Sequence, residues 1–203
     1  RCQFMGKSGL KTVLTTAIRV TPTRTFFSFT ESGVQLDVTF WTPALPDNLD
    51  VLSTPITFVD YKIFAADGGK HNVCVELQVT DSLCYDGGQI PAMGSYVFHN
   101  DALNVCCVGR KQQNILCHSG DRITIDWGYL YIASQHQVRH QGESTFAKWE
   151  TVADIEPKHS HVLLGYDDIA SINYFGVPCR AWYGRNGMTF MEALQYFSKQ
   201  HNE

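Results

Sequence analysis

Apolar and polar residues alternate along several stretches of the chain, which is the pattern of half-buried β-strands. In "GVQLDVTFWTP" the apolar positions run in steps of two from Val34 to Phe40, and "HNVCVELQVT" repeats the pattern from Val73 to Val79. A sheet with one face on the core and the other toward solvent produces such alternation. The pattern predicts an all-β chain of roughly eight to twelve short antiparallel strands, arranged as a β-sandwich.

Turn signals and two irregular spans separate the predicted strands. The segment "DGGK", 67–70, predicts a hairpin turn because glycine tolerates the positive φ that such turns need. "RITIDWGYLYIAS" predicts one long strand in which alternate residues from Ile123 to Tyr131 share a face. Spans 84–104 and 134–160 lack regular alternation and are predicted as loops. Histidines four apart suit metal ligands on a helix and histidines two apart suit them on a strand, but no third ligand accompanies either pair in or beside the second span. These histidines are therefore interpreted as exposed loop residues: His136, His140, His159 and His161.

A helical pattern appears only at the end of the sequence. Phe190, Leu194 and Phe197 form one apolar stripe, and Thr189 with Glu192 matches a capping box. The sequence begins at Arg1 and stops within this pattern. We therefore predict a β-sandwich domain over 1–187, and a segment 188–203 that begins a linker or the first helix of a further, helical domain.

Composition and charge narrow the possible partners. The net charge is −4 with a pI near 6.0, and the absence of a Lys/Arg-rich stretch argues against nucleic-acid binding. The apolar runs are too short for a membrane span. The seven cysteines include no C-x-x-C pair, so a structural zinc site is not expected, and their disulfide state stays open. No other metal or cofactor is predicted.

Two adjacent carboxylates, Asp167 and Asp168, follow the apolar run of "HVLLGYDDIASINYFG" directly, with Tyr166 before them. Such a pair can serve as an acid and a base, or can bind a hard cation. Neighbours in a strand point to opposite faces, so the two share a cavity only if the backbone turns there. The alternative is a strand end at which an aspartate accepts backbone N–H groups in an Asx-turn.

No other catalytic motif in the sequence indicates an active site. Neither G-x-S-x-G nor H-E-x-x-H occurs, and serines next to histidines predict no triad, because a triad is defined by geometry. The aromatic residues allow two interpretations, stacking platforms for sugar rings or ordinary core packing. The tryptophans in question are Trp41, Trp127, Trp149 and Trp182.

Several blocks of the sequence together resemble one known family. The run "VTPTRTFFSFTESGVQLDVTFWTPALPDNLDVLSTPITFVDYKIFAADGGKHNVCVEL", the blocks "DWGYLYIA" and "HVLLGYDDIASINYFGVPCRAWYGRNG", and the initial "RCQFMG" are similar to the N-terminal β-sandwich domain of glutaminase A-like proteins of fungi and bacteria. The resemblance covers nearly the whole chain in order. It implies a supersandwich-like fold that precedes a six-hairpin glycosidase-like catalytic domain, an α/α toroid.

The resemblance also implies a function for the parent protein. The parent would be a secreted or periplasmic hydrolase that converts L-glutamine to L-glutamate and ammonia. This chain would be its accessory domain, inactive alone, which packs on the toroid of the same chain and borders the cleft for the small amide substrate. No catalytic residue is established in the family's β-domain, so Asp167, Asp168 and Tyr166 are candidates for the cleft edge only. The alternatives are a carbohydrate-binding sandwich of a glycoside-hydrolase-like protein, and a domain that only covers apolar toroid surface.

Overall fold

Fifteen β-strands and two α-helices form within residues 1–6, 9–118 and 125–201, which the computed structural model describes. The chain divides into two compact units. The first comprises Arg1–Thr42, Phe58–Val75 and Trp149–His161, and the second comprises Pro43–Thr57, Glu76–Lys148 and Val162–Glu203. The prediction of an all-β, mainly antiparallel fold that closes with a short C-terminal helix is confirmed.

The first unit is built on an antiparallel sheet with the strand order β3-β4-β5-β6. Val38 lies opposite Phe27 on one side and Tyr61 on the other, so large apolar side chains stack across the strands. β1 and β2 form a short parallel pair. The strands are β1 (Cys2–Gln3), β2 (Lys11–Thr12), β3 (Thr15–Thr21), β4 (Arg24–Glu31), β5 (Val34–Trp41) and β6 (Ile56–Ala65), the last of which begins in the second unit.

The second unit contains an antiparallel sheet with the order β13-β10-β9-β8, and a second sheet with the order β11-β12-β7. Ile132 of β10 lies between Cys106 and Leu164, and all of its side chain is buried. A hairpin of β14 and β15 follows. The strands are β7 (His71–Thr80), β8 (Met93–Asn100), β9 (Leu103–Arg110), β10 (Tyr129–Ser134), β11 (Gln137–Gln141), β12 (Ser144–Ala153), β13 (Lys158–Asp167), β14 (Ile172–Tyr174) and β15 (Val177–Cys179); β7, β12 and β13 also contribute residues to the first unit.

The two helices are α1 (Leu49–Leu52) and α2 (Phe190–Gln200). Helix α2 begins with the expected capping box: Glu192 N–H donates to the Thr189 hydroxyl, and the Glu192 carboxylate accepts the Thr189 N–H. The predicted stripe of Phe190, Leu194 and Phe197 is buried. Phe190 lies so close to the Gly165 backbone that a Cβ there would come within 2.5 Å of its ring. Neither helix is long and apolar enough to cross a membrane.

Two spans predicted as loops contain strands instead. Residues 93–100 form β8, at the end of its sheet, where exposed Tyr96 and Val97 follow each other and obscure the alternation. Residues 137–141 and 144–153 form β11 and β12 around a tight turn at Gly142, whose φ is +63°. The interpretation of the histidines as exposed loop residues is wrong for His140 and His161, which lie on strands and are largely buried.

The long strand predicted over 122–134 is shorter in the structure. β10 begins only at Tyr129, because Gly128 has a φ of +97°, which interrupts an extended backbone. Ile123, predicted to share a face of this strand with Tyr131, lies outside the described residues. All seven cysteines are among the described residues, and no two of them are joined by a disulfide bond; Cys84 and Cys106 are buried.

Candidate functional site

A surface pocket of about 240 Å³ lies in the second unit where three segments meet. One is the 3₁₀ turn Asp81–Cys84 directly after β7, the second is strand β8, and the third is the turn between β11 and β12. Apolar and polar side chains share its wall. The lining includes Asp81, Tyr85, Ile90, Met93, Ser95 and His140.

A chain of hydrogen bonds links three of these residues. The His140 Nε2 atom lies 3.1 Å from each oxygen of the Asp81 carboxylate, and His140 Nδ1 lies 3.1 Å from Ser95 Oγ. An ionised carboxylate only accepts hydrogen bonds, so Nε2 carries a proton and donates it. In neutral imidazole, Nδ1 is then the acceptor, and the Ser95 hydroxyl donates to it. The geometry therefore assigns the tautomer of His140.

Local structure explains how these side chains converge. The Asp81 N–H donates to Glu143 O at 3.0 Å, which holds the turn after β7 against the β11–β12 turn. Strand periodicity places His140 on the same face of β11 as buried Val138. Arg139 takes the opposite face, where its guanidinium lies 3.9 Å from the centroid of the Phe146 ring. The pocket is thus assembled from segments far apart in sequence.

Burial differs along this chain of hydrogen bonds. The Asp81 side chain is 5% exposed and the His140 side chain 14%, whereas Ser95 is exposed at the pocket mouth. A buried carboxylate costs free energy unless its oxygens are hydrogen-bonded, so His140 is the partner that makes this placement of Asp81 tolerable. Serine hydrolases offer Nε2 to the serine and Nδ1 to the carboxylate. Here the two nitrogens are exchanged, so the arrangement does not reproduce that catalytic geometry.

The predicted carboxylate pair lies elsewhere in the same unit. Asp167 ends β13, and its Oδ1 accepts the Ile169 N–H at 3.1 Å and the Tyr183 hydroxyl at 3.4 Å. The backbone carbonyl of Asp168 accepts the Ala170 N–H at 2.5 Å. Ile169 has a φ of +62°, which is rare for a β-branched residue. The chain therefore turns sharply at this position, and Asp167 forms the Asx-turn described above as the alternative.

Hydrogen bonds made by Trp127 and Tyr166 hold this turn in place. The Tyr166 hydroxyl donates to Trp127 O at 2.7 Å, and Trp127 Nε1 donates to Ala170 O at 3.2 Å. Burial raises the pKa of Tyr166 above its ordinary value, and burial with the nearby Asp167 carboxylate does the same for Tyr183. Both phenols therefore stay protonated at neutral pH, so each can donate its hydrogen bond.

None of Tyr166, Asp167 and Asp168 lines the pocket. Their assignment to the edge of a cleft completed by another domain stays a prediction. The tryptophans are mostly used for packing: Trp127 and Trp149 are buried, and Trp41 stacks on Phe58 with ring centroids 4.4 Å apart. Trp182 is half-exposed, and the Arg185 guanidinium lies over its ring.

Comparison with protein families places most of this chain in one of them. The model described as "Domain of unknown function (DUF5127)" matches residues 23–153, well over half of the chain. The chain belongs to the DUF5127 family. The matched range includes Asp81, Ser95 and His140 and ends before Tyr166, Asp167 and Asp168.

Other comparisons add little to this family assignment. A solved structure described as "Putative kojibiose phosphorylase from human microbiome" is similar to this DUF5127 chain with a TM-score of 0.45 and 8% sequence identity. The similarity covers 70% of this chain and 17% of that one, so this chain spans only a small part of that protein's length. Comparison with curated proteins found no match.

Sequence reasoning missed the pocket of the DUF5127 chain for a definable reason. His140 lies 59 residues from Asp81 and 45 from Ser95, and both His140 and Ser95 fall in spans without clear alternation. The one usable signal was Asp81 itself, an acidic residue directly after the apolar strand that ends at Thr80.

Proposed function

We propose that this chain is a non-catalytic accessory β-domain that binds a single saccharide unit in the pocket formed around Asp81, Ser95 and His140. The observation that carries the proposal is the hydrogen-bonded Asp81–His140–Ser95 chain beside an apolar wall. A sugar ring has hydroxyl groups around its edge and apolar C–H groups on its faces. A pocket that offers both kinds of surface fits such a ligand.

Polar groups at the mouth supply the hydrogen bonds. Because the Ser95 hydroxyl donates its one proton to His140 Nδ1, its oxygen lone pairs are left to accept hydrogen bonds from sugar hydroxyls. Glu143 lines the same pocket and is exposed. Since Asp81 orients His140 and His140 orients Ser95, the direction in which the Ser95 oxygen accepts is set before a ligand arrives. Such pre-organisation lowers the entropic cost of binding.

Apolar groups supply the complementary surface. Ile90, Pro91 and Met93 line the pocket beside Tyr85, whose ring gives a flat face of the type that packs against sugar C–H groups. The volume of about 240 Å³ falls below the range of roughly 300–1,000 Å³ that is usual for drug-sized ligands. One sugar unit, rather than a long oligosaccharide, is the ligand that suits this size.

The test is a titration of the chain with a panel of monosaccharides, followed by NMR chemical shifts or calorimetry. We expect one saccharide to bind with a dissociation constant on the order of 1 mM, which corresponds to about −4 kcal/mol. Ser95→Ala and His140→Gln should each weaken binding about tenfold, the loss of one hydrogen bond. His99→Gln changes an exposed histidine that does not line the pocket and serves as the matched control.

Three outcomes would contradict the proposal. The first is saccharide binding that Ser95→Ala and His140→Gln leave unchanged, and the second is no binding by any member of the panel. The third is hydrolysis of an activated ester, such as p-nitrophenyl acetate, at a rate that depends on Ser95. That result would make the pocket catalytic.

For the parent protein, we propose that this domain accompanies a catalytic helical domain of the same chain. The six-hairpin toroid, the glutaminase activity on a small amide and the secreted or periplasmic location rest on the resemblance of the sequence blocks alone. Assay of the full-length parent on L-glutamine and on a panel of glycosides distinguishes a glutaminase from a glycoside-processing enzyme. Unchanged kinetics in Asp167→Asn and Asp168→Asn parents would remove both residues from the active cleft.

A further inference from the structure

Three side chains with different metal-binding atoms meet outside the pocket, on either side of the segment 119–125. Cys117 and His118 are neighbours in sequence, and Asp126 approaches them from the residues that precede β10. The Cys117 Sγ atom lies 3.7 Å from Asp126 Oδ1, and His118 Nε2 lies 3.8 Å from Asp126 Oδ2. The three donor atoms all lie within 4.8 Å of one another.

We propose that Cys117, His118 and Asp126 bind one Zn²⁺ ion and leave its fourth coordination position to water. With zinc–sulfur distances of about 2.3 Å and zinc–nitrogen or zinc–oxygen distances of about 2.0–2.2 Å, donor atoms at the corners of a tetrahedron lie about 3.4–3.6 Å apart. The 3.7 Å between Cys117 Sγ and Asp126 Oδ1 is within a few tenths of an ångström of that geometry, and all three residues offer donor atoms within 4.8 Å of one another. Small side-chain rotations would complete it.

The donor set selects the metal. A thiolate and an imidazole nitrogen are soft or intermediate ligands that suit Zn²⁺, whereas Mg²⁺ and Ca²⁺ prefer oxygen ligands only. Cys117 is exposed and the His118 side chain is 50% exposed, so an ion can reach both from solvent. The Cys117 thiol loses its proton to solvent when the metal binds, as every zinc-bound cysteine does.

Arg110 occupies one oxygen of the carboxylate and leaves the other available. Its guanidinium forms an ion pair with Asp126 Oδ2 and also donates to Asp126 O at 3.3 Å. Asp126 Oδ1 faces Cys117. Carboxylate ligands of metals are commonly held by such an outer hydrogen bond, which fixes their orientation. The metal would add positive charge beside the Arg110 guanidinium. The negative charge of the Cys117 thiolate offsets part of it.

A side-chain amide holds the two backbone segments of the site together. Gln113 Nε2 donates to Arg110 O at 2.8 Å and to Gly128 O at 3.2 Å, while Gln113 Oε1 accepts the Gly128 N–H at 2.6 Å. The residue before Cys117, Leu116, has a positive φ of 57°. The hydrogen bonds of Gln113 thus hold the segment before Cys117 and the segment after Asp126 together before the metal binds.

The experiment uses the full chain without an affinity tag, reduced with a phosphine and dialysed against a chelator. Titration with inorganic Zn²⁺ by calorimetry should show one equivalent bound. Co²⁺ as a spectroscopic substitute should show a thiolate-to-metal charge-transfer band and the strong visible bands of tetrahedral coordination. At a free Zn²⁺ concentration of about 100 times Kd, the Tm should rise by about 5–10 °C.

Matched variants decide whether these residues are the ligands. Cys117→Ser and His118→Gln change exposed side chains, so the fold should persist, and each should lower zinc affinity at least about tenfold. The Co²⁺ charge-transfer band should disappear in Cys117→Ser. Cys2→Ser and His99→Gln, an exposed cysteine and an exposed histidine elsewhere, should bind zinc as the wild type does. Wild-type affinity in both Cys117→Ser and His118→Gln would overturn the proposal, as would a lack of saturable binding in wild type.

Discussion

Two carboxylates at strand ends in the second unit have opposite uses. Asp81 follows β7 and is buried, and both of its oxygens face a histidine 59 residues away. Asp167 ends β13, and its Oδ1 accepts the backbone N–H two residues further along the chain. The first carboxylate orients a group in a pocket, and the second shapes a turn. The comparison teaches that the origin of the partner, distant or local, separates a carboxylate that joins distant segments from one that shapes its own turn.

The largest effect is expected at Gly128, against which the Asp167 turn packs. A Cβ at Gly128 would overlap the carbonyl oxygen of Asp167 and come within 2.9 Å of the Asp168 Cα. Its φ of +97° is also unfavourable for any residue with a side chain. We expect Gly128→Ala to lower the free energy of unfolding by about 3 kcal/mol, the sum of backbone strain and overpacking, measured by urea denaturation.

Gly88 provides a control that separates the two causes. It has the same φ of +97°, but a Cβ there would have no atom within 4 Å. Gly88→Ala should therefore show the conformational cost alone, about 1 kcal/mol. Equal losses in the two variants would mean that the backbone of the aspartate turn yields to the new methyl group, and the view of Asp167 as part of a rigid turn would fail.

Removal of each carboxylate tests the comparison directly. Asp81→Ala leaves the largely buried His140 Nε2 without its acceptor, so we expect a loss of about 2 kcal/mol in the free energy of unfolding. Asp167→Ala removes hydrogen bonds in a half-buried turn and should cost about 1 kcal/mol. Only Asp81→Ala should abolish saccharide binding. A larger loss of stability in Asp167→Ala than in Asp81→Ala, in parallel urea titrations, would reverse the assignment.

The isosteric variants Asp81→Asn and Asp167→Asn serve as controls for the two alanine substitutions. Asn keeps an oxygen at the position that accepts the Ile169 N–H, so Asp167→Asn should remain within about 0.5 kcal/mol of wild type. At Asp81, an amide has a single oxygen, and its NH₂ group faces the His140 N–H. Asp81→Asn should therefore weaken saccharide binding even where the fold persists.

Local signals explain what the sequence could predict. The alternation around Val38, the capping box at Thr189 and the buried stripe of Phe190 depend on residues a few positions apart, and the structure contains all three. The pocket depends on Ser95 and His140, which strand pairing brings together over 45 residues. Such pairing is determined by the whole sheet and leaves no local pattern, and β8, at the end of its sheet, exposes consecutive apolar side chains.

The same reasoning applies to the adjacent acids. Asp167 and Asp168 were prominent because they are neighbours, but adjacency in a strand separates side chains instead of joining them. The left-handed φ of Ile169, which produces the turn, has no signal in its residue type. In contrast, Asp81 was inconspicuous because its partner lies in a segment predicted as a loop.

The smallest effect is expected from alkaline pH at the turn that positions Asp81. Cys84 ends this turn, is buried, and its Sγ contacts Val108 O at 3.6 Å. Burial raises its pKa from 9.0 to about 12. A folded pKa above the unfolded value stabilises the fold below pH 9, and this contribution is lost as the pH rises from 9 toward 12. At pH 9.5 the loss is about 1 kcal/mol.

A variant isolates this contribution from the other groups that titrate in the same range. The free energy of unfolding should fall between pH 8 and pH 9.5 by about 1 kcal/mol more in wild type than in Cys84→Ala. Any fixed cost of the smaller side chain cancels, because only the change with pH is compared. Cys2→Ala, which removes an exposed thiol, should retain the wild-type slope. If Cys84→Ala also retains that slope, the thiol is accessible to water in the folded chain, and the buried turn that holds Asp81 against His140 is looser than its contacts indicate.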